Sequence, residues 1–534
     1  MHLEGIPFRK TGYFSDIIND YLDESPSLRP FYTRFPSIDS FKPQITEKQK
    51  AFSEKQRAVL VEALQSQYKE VSASAITKKN LKLLQENNAF TVVTGHQLNL
   101  FTGPLYFLYK IISTINLCAA LKKHYPEYHF VPVYWMATED HDFDEINFFN
   151  FKGKKLQWNR EAEGGVGKLS TKGLNRVLEM FTLEMGQGKN ATALKTLFKE
   201  AYLNHADLTS ATRYLANELF AKEGLVIVDG DDESLKRPLI PYIKKDLFEN
   251  TAFKEVSKTI EKLGAVSEAY KIQVNPREIN YFYLKEGLRE RIIEKDGRYF
   301  VNNTSLEFTK EEISEEIEQH PERFSPNVIA RPLYQEIILP NLCYIGGGGE
   351  IAYWLELKSF FEAVEVTFPV LLLRNSVLVI SEKQKRKIKK MKLEVADLFL
   401  DQNRLINKKI REISNIDIDF SPQRNHLKEQ FKDLYTLAEQ TDKSFLGAVK
   451  AQEVKQLKGL DKLEKRLLKA QKRKLKDHVV RMTDIQNELF PNQSLQERNL
   501  NFSELYLDIG EELIPMLIKS LDPLHKEFYV LQLP

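Results

Sequence analysis

With only two cysteines in 534 residues, Cys118 and Cys343, the chain has too few thiols for a disulfide framework or an all-cysteine zinc site. Neither has a histidine beside it in sequence, so both read as core thiols in a reducing compartment. Net charge is also nearly missing: 77 basic residues against 75 acidic ones leave +2, and no global field recruits nucleic acid or an anionic membrane. No apolar run reaches the roughly 20 residues of a membrane span, and the opening MHLEGIPFRKTGYFSDIINDY lacks the apolar core of a signal peptide. The expectation is a soluble, cytoplasmic protein that uses neither nucleic acid nor membrane. No internal repeat is found, and the one glycine-rich loop lacks the Gly-Lys-Ser/Thr ending of a Walker loop.

What is present is an ordinary globular composition on a chain long enough for two or three domains. Residues 1–88 read as a helical segment with loops. FTVV before TGHQ has the length and β-branching of a buried strand, and the apolar series after Pro104 recurs at helical spacing. Pro104 suits the first turn of that helix, with Thr102 as its cap. HFVPVYWMAT and LVIVDG supply two further buried strands, so residues 89–380 predict a Rossmann-like α/β core with a parallel sheet. Inserts are expected at about 147–205 and 270–325, the second with a hairpin at Asp296 and Gly297. VTFPVLLLRNSVLVI reads as a final strand pair. Residues 381–534 turn helical and charged. Leu457, Leu460, Leu463, Leu467, Leu475, Val479 and Met482 trace a near-heptad seam, irregular near Lys474, that predicts a helical hairpin or coiled coil at about 440–490.

Ligands of open α/β sheets bind beyond the carboxyl ends of the strands, so the loops after the first two strands are the places to look. Gly95, His96, Gln97, Asn99, Thr102, Gly103 and Pro104 form one such loop, ending at a helix N-terminus that favours an anion. Glu139, Asp140, His141, Asp142 and Asp144 form the other. Carboxylates around one imidazole can orient amines and hydroxyls, hold a divalent metal, or supply a general acid or base; they can also simply cap a helix. Gly347, Gly348 and Glu350 in IGGGGE could cradle an anion or make a tight turn. Arg331, with Tyr334 and Gln335, suits a carboxylate or phosphate, and Tyr353 and Trp354 follow in the next helix. Asp229, Asp231 and Asp232 could bind sugar hydroxyls or form a turn. Histidines are too sparse in the acidic segment for a zinc hydrolase, and no structural metal is expected.

The stretches TGHQLNLFTGPLYFLYKIIS, VPVYWMATEDHDFDEIN, SPNVIARPLYQE and GGGGEIAYW together resemble the BshC family of bacillithiol biosynthesis, to which a cysteine ligase activity is ascribed. The resemblance follows order and spacing over most of the chain. It implies a Rossmann-like core related to class I aminoacyl-tRNA synthetases, two connecting inserts, and a C-terminal coiled coil that pairs subunits into a homodimer. It also implies a reaction, cysteine joined through an amide to the amino group of glucosamine-malate, with ATP and magnesium as the expected activator. Catalytic roles then fall on Asp140, His141, Glu139 and Asp142, and the other residues of the three loops (through Asp144 and Glu350), with Arg331, Tyr334, Gln335, Tyr353 and Trp354, become substrate or nucleotide contacts. The family often carries glutamine at the position of His96, which implies that His96 is no indispensable proton donor. The paired HIGH histidines and the KMSKS loop of those synthetases are absent. A non-catalytic scaffold of the thiol pathway is the alternative reading, and a dense polar crevice is the feature that separates the two.

Overall fold

The computed structural model describes residues 2–441 and 443–533. Its central sheet is wholly parallel and contains β1 (Ala89–His96), β2 (His129–Met136), β3 (Val226–Asp229), β4 (Asn341–Gly346) and β5 (Val370–Leu373). Across the sheet the order is β5-β4-β1-β2-β3. The chain therefore begins in the middle, winds outward through β2 and β3, and crosses back to β4 and β5. That reversal makes the gap beyond the carboxyl ends of β1 and β4 the switch point, where doubly wound sheets bind ligands.

Every residue of β1, β4 and β5 is buried, as strands covered on both faces require. Pairing in register from Ala89–His129 to His96–Met136 brings the ends of β1 and β2 to one edge. The helix α1 (Tyr106–His124) packs on this sheet, and its last turn carries Lys122, Lys123 and His124 at the negative end of the helix dipole. Two more helices, α2 (Ala330–Ile338) and α3 (Gly348–Leu355), flank β4.

The corner between β1 and α1 differs from the expected cap. The helix starts at Tyr106 behind Leu105 with no side-chain cap, while Phe101 and Thr102 adopt φ of 48° and 70°. Thr102 is bent into a tight turn rather than placed to cap. Gly103 completes that turn at φ 62°, where a Cβ would stand 2.6 Å from Asn99 Cβ. Pro104 stands just ahead of Leu105 and so before the first turn, not within it, its carbonyl accepting from the Phe107 N–H at 3.0 Å.

Between β2 and β3 the segments Phe148–Phe151 and Lys154–Gln157 form the expected antiparallel hairpin. The later insert is a five-stranded antiparallel sheet whose strands Leu288–Lys295 and Arg298–Val301 join at Asp296 and Gly297, both at positive φ. That is the two-residue turn the sequence predicts. Two other expectations need correction. The chain opens on a strand, His2–Pro7, not a helix, because Glu527–Gln532 from the far end pairs with it. The predicted terminal strand pair is divided between sheets: β5 stays in the core, while Val377–Ile380 runs beside Glu527–Gln532. Arg374, Asn375 and Ser376 turn the chain between them.

In the C-terminal part, α4 (Ser421–Glu439) and α5 (Lys443–Lys474) pack through Phe431, Ala438 and Val449. The irregularity expected near Lys474 is a break at Leu475 before α6 (Lys476–Leu489). Among the described residues no helix is long and apolar enough to cross a membrane.

Candidate functional site

A cavity of about 790 Å³ occupies the switch point. The end of β1 contributes Gly95, His96 and Gln97, the end of β2 contributes Thr138 to His141, and the loop after β4 contributes Gly347 to Glu350. Arg277, Tyr281, Arg289 and Arg291 of the second insert close over it, and Arg331, Arg374 and Arg498 reach it from three other segments.

Glu350 organises the glycine loop. Its carboxylate lies 2.6 Å from Lys110 Nζ, accepts from the Tyr344 hydroxyl at 2.6 Å, and accepts from the Gly347 N–H at 2.8 Å. Lys110, itself buried in α1, also donates to the Gly95 carbonyl at 2.7 Å and so ties the two loops together. Burial alone would raise the Glu350 carboxyl, but Lys110 and these hydrogen bonds leave it below its ordinary value. Arg374 is anchored by Glu497 at 2.7 Å, while among the described residues its Nε has no hydrogen-bond partner; it would lie 3.8 Å from a Cβ placed on Gly347. Arg331 donates to Gln335 at 3.1 Å, and among the described residues its buried Nη2 has no hydrogen-bond acceptor. Two buried guanidinium donors without acceptors on the cavity wall fit an anionic ligand. A Cβ on Gly95 would make only ordinary contacts, 3.5 Å from the Tyr344 hydroxyl and 3.7 Å from Arg331 Nη1, so space alone does not demand glycine there.

The acidic loop divides into dissimilar parts. Asp140 accepts from Gln97 Nε2 at 3.0 Å and from the His141 N–H at 2.8 Å. Burial would raise its carboxyl, but the hydrogen bonds from His141 and Gln97 and the Arg289 charge hold it well below the carboxylate range. His141 Nδ1 lies 2.7 Å from Arg289 Nη1; a guanidinium only donates, so Nδ1 accepts and the ring proton sits on Nε2. Glu139 behaves oppositely: burial pushes it up to about 7 against the pull of Lys236.

Of the residues singled out from sequence, the cavity brings together Gly95, His96, Gln97, Glu139, Asp140, His141, Arg331, Gly347, Gly348, Glu350 and Tyr353. It does not bring in Asn99, Thr102, Gly103, Pro104, Asp142, Asp144, Tyr334, Gln335 or Trp354. Asn99 donates to the Glu145 carbonyl at 3.2 Å, Asp144 accepts from Asn147 at 3.4 Å, and Asp142 is exposed at the start of a single helical turn. Tyr334 donates to the Gly230 carbonyl at 2.8 Å, Gln335 supports Arg331, and Trp354 packs on Tyr344 with ring centroids 4.7 Å apart. Asp231 and Asp232 build the turn after β3 rather than the wall, Asp232 accepting from the Ser234 N–H at 2.9 Å. Cys118 and Cys343 are buried free thiols, as expected.

Sequence reasoning missed Lys110, Tyr344, Arg277, Arg289, Arg291 and Arg498. A single charge within the apolar opening run of that helix, residues 106–112, was the available sign for Lys110. The arginines of LRERI carry none, because any exposed hairpin alternates in this way.

His96 is 7% exposed, its Nε2 has no hydrogen-bond partner among the described residues, and burial together with Lys110 pulls it down to about 3. Neutral when folded, it takes a proton on unfolding below about pH 6.5, so this contribution to stability falls as pH drops from 6.5 towards 3. His96→Gln is therefore expected to recover about 2 kcal/mol at pH 5 relative to pH 7. Denaturant titrations of both proteins at the two pH values check this; an identical pH dependence would contradict it.

The family description "Bacillithiol biosynthesis BshC, N-terminal Rossmann-like domain" matches residues 1–375, and the family's C-terminal coiled-coil domain matches residues 377–533. The chain belongs to the BshC family. Relatives named "Putative cysteine ligase BshC" include one from Christiangramia forsetii, 58% identical over 98% of each chain. Another, from Flavobacterium johnsoniae, is 58% identical over 99% of this chain and 100% of its own. A more distant one, from Lysinibacillus sphaericus, is 28% identical over 85% of this chain and 87% of its own. The two family domains meet where β5 leaves the core sheet, and Arg498 of the second reaches the cavity of the first.

Proposed function

We propose that this protein is a ligase that joins cysteine to the amino group of glucosamine-malate, giving bacillithiol as the last step of a low-molecular-weight thiol pathway, with ATP and magnesium as activator. The observation that carries the reading is the charge of the cavity. In a chain with almost no net charge, seven basic side chains line the cavity against three acidic ones, Glu139, Asp140 and Glu350. Malate, the cysteine carboxylate and a triphosphate are all anions, and such a site would collect them. A scaffold has no need of buried guanidinium donors without partners.

Lys110, Arg374, Arg498 and the backbone of Gly347 to Gly349 fit a polyphosphate, because the glycines leave room for it and among the described residues the Arg374 Nε has no other acceptor. When bound, ATP supplies the activation that turns the cysteine carboxylate into an acyl donor. Magnesium would arrive with the phosphates, since among the described residues no three potential ligands converge. Arg277, Arg289 and Arg291 of the second insert also line the cavity and would hold the malate carboxylates. Asp140, a fixed anion, would hold an ammonium group, and the enclosed donors would stabilise charge developing on the acyl oxygen. The cytoplasm, with ATP and free thiols, is the fitting compartment. A homodimer is proposed from the coiled-coil domain, where Leu434, Leu437, Val454 and Leu463 are exposed; light scattering should give about twice 62.1 kDa, and a monomer would contradict it.

Calorimetric titration tests the cavity directly. Arg331→Met should weaken binding of at least one of glucosamine-malate, cysteine or ATP by about 10- to 100-fold, the loss expected for a charged hydrogen bond. Equal affinities for all three in variant and wild type would remove the cavity from the account.

A further inference from the structure

Glu139 reaches the cavity from the end of β2, but one of its oxygens is already engaged. Lys236 Nζ donates to Oε1. The Lys236 side chain is wholly buried, does not line the cavity, and donates also to the Glu322 carbonyl at 3.0 Å. Asp231 stands 3.8 Å from the same ammonium and in turn lies 2.9 Å from the exposed Lys168. Among the described residues, nothing donates a hydrogen bond to Glu139 Oε2. The neighbouring Asp140 is different, since Gln97 and the His141 N–H occupy its two oxygens.

We propose that Lys236 is the positioning residue of this site: it holds Glu139 by one carboxylate oxygen and leaves the other facing the cavity, as acceptor of a proton from the ammonium of the attacking amino sugar. This rests on the ligase reading above. The ammonium gives one proton to Oε2 and becomes a neutral amine. Its lone pair forms the C–N bond to the activated cysteine carbonyl while the bond to the activating group breaks, the leaving group taking the electron pair. The second nitrogen proton passes to solvent as the amide forms. Lys236 touches no substrate and acts only through Glu139.

The charges that reach Glu139 come from Lys236, Asp231, Arg289 and Lys168, with Tyr281 and Tyr334 beside it and Asp140 and His141 next in the chain. Burial raises the carboxyl, Lys236 lowers it and Asp231 raises it, leaving it near 7. The proton-accepting form therefore grows as pH rises through about 7. Without the Lys236 charge the midpoint moves up; without the Asp231 charge it moves down.

The test is a pair of variants with opposite expected signs, Lys236→Met and Asp231→Asn. Glu139 is read without substrate as the pH-dependent infrared carboxyl band that disappears in Glu139→Gln. The expected midpoint rises by about one pH unit in Lys236→Met and falls in Asp231→Asn. The rising limb of kcat should follow each shift with KM little changed. Asp231→Asn keeps the test decisive should Lys236→Met fail to fold. Unmoved midpoints would overturn the link between Lys236 and Glu139. Shifted midpoints in an enzyme whose kcat does not follow them would overturn the proton transfer. Shifted midpoints in a protein that makes no product would overturn the ligase reading while leaving the Lys236–Glu139 link in place.

Discussion

Glu350→Ala is expected to destabilise the protein by about 3–5 kcal/mol, because it leaves the Lys110 ammonium buried without its counter-charge. Lys110 is 4% exposed, and among the described residues its ammonium otherwise meets the Gly95 carbonyl and, at 5.9 Å, the Tyr106 ring. The same substitution frees the Tyr344 hydroxyl and the Gly347 N–H, so the loop that faces the cavity loses its tether as well. Much of the penalty belongs to the stranded charge rather than to the pair. Lys110→Met combined with Glu350→Gln should accordingly be more stable than Glu350→Ala alone. Urea unfolding of the single and double variants measures both effects. A loss under about 1 kcal/mol for Glu350→Ala would show that water relieves Lys110, and the loop would need another explanation.

Glu139→Gln should have the larger effect on turnover. The amide keeps the shape and a contact for Lys236 but accepts no proton, and general-base catalysis is typically worth about 10²–10⁴-fold. The loss belongs in kcat, with KM nearly unchanged, since a group acting on the reacting nitrogen contributes mainly in the transition state. Asp140→Asn should show a different pattern. Asp140 is a hydrogen-bonded anion held well below the carboxylate range, so its replacement should raise KM for the amino sugar more than it lowers kcat. Steady-state kinetics separate the two. A Glu139→Gln enzyme that turns over within a few-fold of wild type would end Glu139's role as base.

The sheet was legible because its strands carry their own signature. FTVV, VPVYW and LVIV are near-continuous runs of β-branched, aromatic and other apolar residues, and runs of that kind are typical of strands buried between two covering layers. The turn at Asp296 and Gly297 was legible for a similar local reason, as few residues accept positive φ at both positions. The terminal strands were not, because His2–Pro7 becomes a strand only when Glu527–Gln532 arrives from the opposite end. Thr102 shows the limit of local rules: its composition suits a cap, but burial of Phe101 among Phe149, Phe181, Phe198 and Phe502 rotates the corner away from the helix axis.

The candidate site divides along the same line. TGHQ, TEDH and GGGGE stood out because small and polar residues interrupt apolar strands. Lys110, Arg289, Arg374 and Arg498 did not, since each lies far in sequence from the acid or loop that it serves. Arg374 is held by a partner from the other end of the chain, Glu497 of the coiled-coil domain. Lys236 had no sequence signal at all, because a lysine on a short surface helix normally points to solvent and this one is entirely covered.

The most direct test of the central claim is mass spectrometry of the products formed when the purified protein is incubated with glucosamine-malate, cysteine, ATP and magnesium, beside a reaction without ATP. The expected result is bacillithiol in the complete mixture alone, with AMP or ADP released in step with it. Protein that binds these substrates but forms no bacillithiol, with the nucleotide left intact, would contradict the account.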